Sequence, residues 1–557
     1  MSLCEASQRW SRRLDSFAGP LVAAAALLVG LASFAYYFAH GLTLAHYDSK
    51  SHLVVARRLT DSVDPGYLQM GVHWLPLIHL LYLPFTLFES QYRSGVGPSL
   101  LSVAAFTLSA WLVFRICRRA TGSAGAGVAA AAVLVANGNL AYLQSCPLSE
   151  PVYMALQLAA LDLVMAWRER RTEAPPWAAA LAAALGAMCR YEGWFFAAGV
   201  VVLLAWDARR EPARRRESIR AAAVFAGAFA FLALGHFGYL YARVGDSFLH
   251  RVARGNPAPF VTFKRPFLSA AYHAGELAQA GGVVPLLVAL LGALHCLRSR
   301  RPCARVAPVF LLWLPSITNV SVLYWGMIYR VRWSVLLVPA LAASAALQFV
   351  APRALRRALL AASFAAMALP WVSWAAPGTW EFHLLRAGPG AVLLPAAGLA
   401  VLLAAESGAA PGLALVALLV AAEQWPALEG ENRAVLGEAL EHASLEGERA
   451  QVIGYLRQNY DGRRILADMG KLAPLVYDSG LATREFVHNE GDPARWRRAL
   501  GQPRGEVGWL AALRGDEVWQ ALEVDPHRAD GYSLAVQTGH FVLYRLETRP
   551  PEGKRIE

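Results

Sequence analysis

Cysteine is scarce in this chain. Six of its 557 residues, Cys4, Cys117, Cys146, Cys189, Cys296 and Cys303, are scattered with no C-x-x-C pair and none after residue 303. That pattern excludes a disulfide framework and a thiolate zinc site. No Gly-rich phosphate loop and no Ser/His/Asp arrangement stands out in the last 130 or so residues. No internal repeat or inverted half is present either, which counts against many transporter folds. Finally, long apolar runs are missing beyond Trp425, so the C-terminal part has to be read apart from the rest.

Before Trp425 the opposite holds. With 56% hydrophobic residues and a mean hydropathy of +0.36, the chain is too apolar for an ordinary soluble protein of its length. A helix needs about 17 to 25 apolar residues to cross the hydrocarbon, and such runs recur between residues 18 and 425. The composition therefore predicts a polytopic membrane protein.

The net charge of +12 raises the question of nucleic acid, and the position of the charge answers it. Residues 426–557 hold 17 Lys+Arg against 21 Asp+Glu, a net of −4, which leaves +16 on residues 1–425. That excess sits in short clusters between apolar runs, such as Arg115, Arg118 and Arg119, or Arg209, Arg210 and Arg214 to Arg216. This is the positive-inside pattern of a membrane protein, and it argues against a nucleic-acid partner. Leu21 to Phe38 follows Arg12 and Arg13 as a signal core would, but it is longer than such a core and more membrane segments follow, so it reads as an uncleaved first helix.

Placing the arginine clusters in the cytoplasm predicts a topology. Helices are expected at about 18–40, 98–113, 124–143, 150–167, 177–189, 194–207, 219–241, 282–297, 306–325, 333–350, 357–376, 390–405 and 411–425. The fold class is thus mainly α, a bundle of about thirteen transmembrane helices. The segment 75–88, broken by Pro76 and Pro84, is assigned to a shallow helix at the outer interface. Residues 1–425 form the membrane domain, with 41–97 as its first outer loop, and residues 426–557 form an outward α/β domain. In that last part Glu448–Tyr460 and Leu472–Tyr477 have helical spacing, Arg464–Ala467 reads as a strand, and Ser533–Leu546 as an antiparallel pair turning at Thr538-Gly539.

Four constellations fall on the outer face. Asp48, in "HYDSKSHLVVARR", either caps an interfacial helix that turns Leu53, Ala56 and Leu59 toward lipid, or serves as a general base beside a lipid-borne substrate; the two roles are compatible. Glu150, in "CPLSEPVYM", lies at the outward N-terminus of a helix, where the macrodipole favours a carboxylate. His73, Arg190, Arg330 and Arg332 are basic groups near lipid, and a phosphate is the anion that would repay their placement; Glu192 offers Arg190 an ion pair instead. His46, Asp48 and His52 have a spacing that could share a divalent metal. Asp162, inside a helix, is expected to be paired near its cytoplasmic end.

The first loop "HYDSKSHLVVARRLTDSVDPG", followed by "WLPLIHLLYLPF" and a helix ending in "FRICRRATG", resembles the membrane glycosyltransferases of the C superfamily. Within it, the likeness is to the protein-mannosyltransferase-like and lipid A aminoarabinose transferase-like branch, most specific over residues 40–195 with an echo at "YRVRWSVLLVPALA". The resemblance implies a bacterial inner-membrane enzyme with a cytoplasmic N-terminus and a periplasmic C-terminal domain. Its donor would be a polyprenyl-phosphate-linked sugar and its acceptor a hydroxyl of a lipid, glycan or protein, with inversion at the sugar. It places the family's first-loop acid on Asp48 and its second acid on Glu150, and donor-phosphate binding on His73, Arg330 and Arg332. No cofactor is required by it, and a divalent metal stays an option only through the spacing of His46, Asp48 and His52. The sequence departs from the family where Ser49 replaces a second acid and where the neighbourhood of His73 replaces a lysine. The rival readings are a transporter or flippase of a lipid-linked or anionic substrate, which would place polar groups at the bilayer midplane, and a non-catalytic assembly or sensor protein working through its outward tail.

Overall fold

The computed structural model describes residues 3–71, 74–170, 172–245, 261–282, 303–327, 329–347 and 435–547, with isolated positions between 283 and 300. His73, the crossings expected at 357–376, 390–405 and 411–425, and most of the one at 282–297 lie outside the described residues. The chain packs as two compact units. The first comprises residues 1–43, 99–235 and 254–439, and the second comprises residues 44–98, 236–253 and 440–557.

In the first unit the described elements are helical. Helix α1 (Leu3–Ala39) leads in, α2 (Tyr47–Arg58), α3 (Pro76–Thr86) and α4 (Glu89–Ser94) belong to the second unit, and α5 (Val96–Thr121) returns to the first. There follow α6 (Ala124–Val135), α7 (Gly138–Leu143), α8 (Ser149–Arg170), α9 (Trp177–Ala187), α10 (Glu192–Arg210) and α11 (Arg215–Val244). Among the described residues four helical stretches are long and apolar enough to cross a membrane: 17–39, 96–121, 212–244 and 307–324. The described residues thus do not reproduce thirteen crossings.

The differences have local causes. The helix expected at 124–143 is two helices, because Asn137 turns out of the first and accepts from Leu140 N at 2.8 Å as the cap of the second. The run 306–325 opens as a 3₁₀ segment before Pro315 restarts it as an α-helix, and 333–350 breaks between Val335 and Val338. The outer segment 242–281, with no helix assigned to it, holds α12 (Pro266–Gly281). Asp162 is held as expected, with Arg115 and Arg119 each 2.9 Å away.

In the second unit, α3 is an 11-residue helix, about 16 Å long at 1.5 Å per residue and so about half the hydrocarbon thickness. It packs on α2. Leu53, Ala56 and Leu59 of α2, assigned to lipid from their spacing, are instead 0%, 0% and 7% exposed within the protein. Burying each large aliphatic side chain contributes about 1.5–3 kcal/mol, so α2 is held by packing rather than laid loosely on a surface.

The C-terminal residues form a five-stranded sheet, β1 (Ile465–Ala467), β2 (Phe486–Val487), β3 (Trp509–Leu513), β4 (Tyr532–Gln537) and β5 (Phe541–Leu546), in the order β2-β1-β3-β5-β4. Strand β1 is parallel to β2 and β3, while β5 is antiparallel to β3 and β4, with a bulge between Leu534 and Val536. Leu466, Val487, Leu510 and Val542 fill the core, and Val63 of the first loop packs against it. The two expected helices, the β1 strand and the terminal hairpin stand close to where their periodicity placed them; β2, β3 and the helices Pro493–Gly501 and Glu517–Val524 do not appear in that reading, and "FV" and "WLAAL" are apolar runs without a period.

The same unit ties the first loop to the tail through polar bonds. Lys50 Nζ lies 2.8 Å from Asp478, Arg495 grips Asp64 with two bonds of 3.0 Å, and the Tyr47 hydroxyl donates to Gly470 O at 2.6 Å. Thr483 donates to Asp61, and the Tyr477 hydroxyl donates to the carbonyls of Tyr92 and Arg93.

Candidate active site

The first unit gathers three of the sequence's candidates. Helices α8 and α9 pack as neighbours joined by a short Pro175-Pro176 turn, so the N-terminus of α8 meets the C-terminus of α9. That brings Glu150, in the first turn of α8, beside Arg190, just past the end of α9, and Cys189 Sγ to 3.6 Å from Ser149 O. Glu150 is completely buried, and its Oε1 accepts from Arg190 Nη1 at 2.7 Å and from Arg332 Nη1 at 2.9 Å. Arg332 comes from α13 (Val331–Val335), a five-residue turn of helix.

Arg190 is fully engaged. It donates to Glu192 through Nε at 3.2 Å and Nη2 at 2.8 Å, and to the Ser149 hydroxyl at 3.0 Å. The ion pair that the sequence offered it with Glu192 is therefore formed. Its side chain is 10% exposed and that of Arg332 is 9% exposed. Buried charges of this kind persist only when paired, so the two arginines and the two glutamates hold one another in place.

Two further groups orient this cluster. Glu438 Oε1 accepts from Val331 N at 2.6 Å, next to Arg332, and Asn139 Oδ1 accepts from Val435 N at 2.9 Å. On the other side of the same turn, the Tyr329 and Ser334 hydroxyls are 2.6 Å apart, and His273 Nδ1 is 3.1 Å from the Tyr329 hydroxyl. Glu438 and His273 escape a reading by sequence spacing, because each belongs to a separate element that only folding brings to this turn, whereas Tyr329 stands three residues before Arg332 in "YRVRW". Arg330 is half-buried at the head of the α13 turn and has no ion pair among the described residues.

Asp48 lies in the second unit. It occupies the first turn of α2 and is half-buried, but the cap belongs to His46, whose Nδ1 accepts from Asp48 N at 3.1 Å. His52, one turn on, is hydrogen-bonded through Nδ1 to His79 Nε2 at 3.0 Å, and His79 Nδ1 in turn meets Leu75 O at 3.1 Å. The indole of Trp74 stands edge-on to both rings. Among the described residues no group of three or more His, Cys, Asp or Glu side chains is placed to hold a metal ion, so His46, Asp48 and His52 do not form the ligand set their spacing suggested.

The last residue of α2 is a fully buried Arg58, whose Nε donates to Gln69 O at 2.5 Å and whose Nη2 lies 3.9 Å from Glu490. Burial pulls its guanidinium down to about 10. His488, buried beside it, is held neutral, well below the usual imidazole value, by burial first and by the Arg58 charge second.

Residues 78–235 match the family described as Dolichyl-phosphate-mannose-protein mannosyltransferase. Among solved structures, the chain is similar to ArnT from Cupriavidus metallidurans bound to undecaprenyl phosphate, at 14% identity over 94% of this chain and 97% of that one, with a TM-score of 0.55. It is also similar to the same protein in the apo state, at 15% identity over 97% and 98% of the two chains, with a TM-score of 0.53. No curated protein sequence matches it. The chain thus combines a match to this family over residues 78–235 with a fold similar to that of ArnT.

Proposed function

We propose that the protein transfers a sugar from a polyprenyl-phosphate donor to a hydroxyl of an acceptor on the outer face of the bacterial inner membrane, with inversion at the anomeric carbon. The observation that carries this reading is the buried Glu150, bridging Arg190 and Arg332 within a chain of this fold. A cluster of ions in an apolar setting is costly to assemble, and an enzyme that must cradle a phosphate leaving group has a use for it.

In the reaction, Asp48 takes the proton of the acceptor hydroxyl as its oxygen bonds to the anomeric carbon. The bond from that carbon to the phosphate oxygen breaks, and its electron pair leaves with polyprenyl phosphate. Arg332, together with Arg330 and His73, carries the charge that develops on the phosphate. Arg190, already engaged by two carboxylates, is a positioning residue that holds Glu150. Glu150 in turn aims the Arg332 guanidinium, so the second acid acts through the arginines.

This reading is tested by incubating purified protein with a panel of polyprenyl-phosphate hexoses and pentoses and measuring polyprenyl phosphate released, with envelope extract as acceptor and no ion gradient. Turnover of at least one donor is expected. Failure of every donor would favour a transporter, whose substrate would move without being cleaved.

The proposal also requires the second unit to face outward. A cysteine introduced at Ser533 is exposed on β4, and one at Thr172 is exposed on the α8–α9 connection. In whole cells an impermeant maleimide should label the first and spare the second. Labelling confined to Thr172 would invert the membrane orientation and remove Asp48 from the outer face.

A further inference from the structure

The C-terminal sheet carries a cleft of about 550 Å³ lined by Arg463, Arg464, Arg484, Arg504, Glu485 and Glu506, with Ser62 and Val63 of the first loop at its margin. Four arginines against two glutamates is a positive balance inside a segment, residues 426–557, whose own balance is negative. The cleft is therefore not a sample of the local composition.

Its ion pairs are distributed unevenly. Arg463 is held by Asp461 at 2.6 Å, Arg484 lies 3.6 Å from Asp61, and Glu506 is taken up by Arg498 at 3.3 Å. Glu485 accepts from the Tyr460 hydroxyl at 2.6 Å. Arg464 and Arg504 have no ion pair among the described residues and are both exposed. Two guanidinium groups remain for a ligand.

Both are mounted on rigid backbone. The carbonyl of Arg464 accepts from Gly508 N at 2.9 Å and Trp509 N at 3.1 Å, pinning it where β1 joins β3. Arg504 sits in the 3₁₀ turn Pro503–Gly505, and its guanidinium lies against Gly531, where an added Cβ would come within 3.4 Å of Nε and Cζ. At Gly508 an added Cβ would meet Arg463 Cβ at 2.4 Å, so the floor tolerates no side chain there. Planar guanidinium groups fixed in this way suit oxyanions, which they bond with two parallel donors, and the volume suits one or two sugar rings.

We propose that this cleft binds the phosphate or carboxylate groups of an anionic acceptor glycan, as an anion site separate from that of the donor phosphate. The acceptor role rests on the transferase reading above; the anion site itself does not. The first loop that edges the cleft also bears Asp48, at the opposite end of the 12-residue α2, so the acceptor role requires a glycan long enough to reach along that helix to the proposed base.

The test uses full-length protein in nanodiscs of zwitterionic lipid, with glucose 1,6-bisphosphate as the probe, titrated by calorimetry at low salt. Wild type should bind it, and Arg464→Ala/Arg504→Ala should bind at least tenfold more weakly, with Arg464→Lys/Arg504→Lys in between. Affinity should fall as salt is raised. Equal binding by wild type and the alanine variant overturns the site. So does a response confined to nanodiscs containing phosphatidylglycerol, which would assign these arginines to lipid headgroups. Release of polyprenyl phosphate by wild type, measured with envelope extract as acceptor, keeps the two ideas apart: its absence would fail the transferase reading while leaving the probe titration to decide the cleft.

Discussion

Asp48→Asn should reduce release of polyprenyl phosphate by two to four orders of magnitude while leaving the protein folded. The size follows from what a general base contributes to a step in which a hydroxyl must lose its proton as it attacks. Asn keeps the shape and the polar contacts of Asp but has no lone pair basic enough to receive that proton. The fold should tolerate the change, because the cap of α2 is His46 and not Asp48, and because α2 is anchored by Leu53, Val54, Val55 and Ala56, each 2% exposed or less. Thermal unfolding of the variant should therefore match wild type. Donor affinity, measured by competition with a non-reacting polyprenyl phosphate, should change little, so the loss falls on kcat. Asp48→Asn turning over like wild type would take the base away from the first loop altogether.

How far the sequence reaches can be seen in α2. Its apolar spacing and its charges were enough to place it outside the bundle at the first loop, and the resemblance was enough to single out Asp48. The spacing misassigned its partner, though: Leu53, Ala56 and Leu59 are covered by protein, and Lys50, Asp61 and Asp64 bond to residues more than four hundred positions away. Periodicity reports that a face is apolar, not what covers it. Lys50, Asp61 and Asp64 of this loop are thus bolts of the second unit. The same limit explains the candidate site. Arg190 and Glu192 are two positions apart and could be paired on paper, whereas Glu150, 40 positions from Arg190, and Arg332 and Glu438 reach the cluster from distant elements. In the C-terminal sheet, amphipathic helices and the hairpin turn carry local signals, but β3 at the centre of the sheet is an apolar run that only its neighbours turn into a strand.

Glu150→Gln should cost the protein both stability and activity, and a second substitution should separate the two. Oε1 of Glu150 receives both Arg190 Nη1 and Arg332 Nη1, so the carboxylate is what lets two guanidinium groups converge in a buried place. Without its charge, Arg190 still has Glu192, but Arg332 faces another cation across a neutral amide. Removing one partner from a buried pair destabilises by about 3–5 kcal/mol, chiefly because the remaining charge is left uncompensated. The melting temperature in detergent should drop clearly for Glu150→Gln and for Arg332→Gln. In the double variant Glu150→Gln/Arg332→Gln the excess charge is gone, so much of the lost stability should return, as a coupling energy in a double-mutant cycle. Activity should not return with it, because the group proposed to carry the phosphate charge is also gone. Recovery of both would reduce the cluster to a structural ion network, and a Glu150→Gln variant as stable as wild type would mean that the two arginines are compensated from elsewhere.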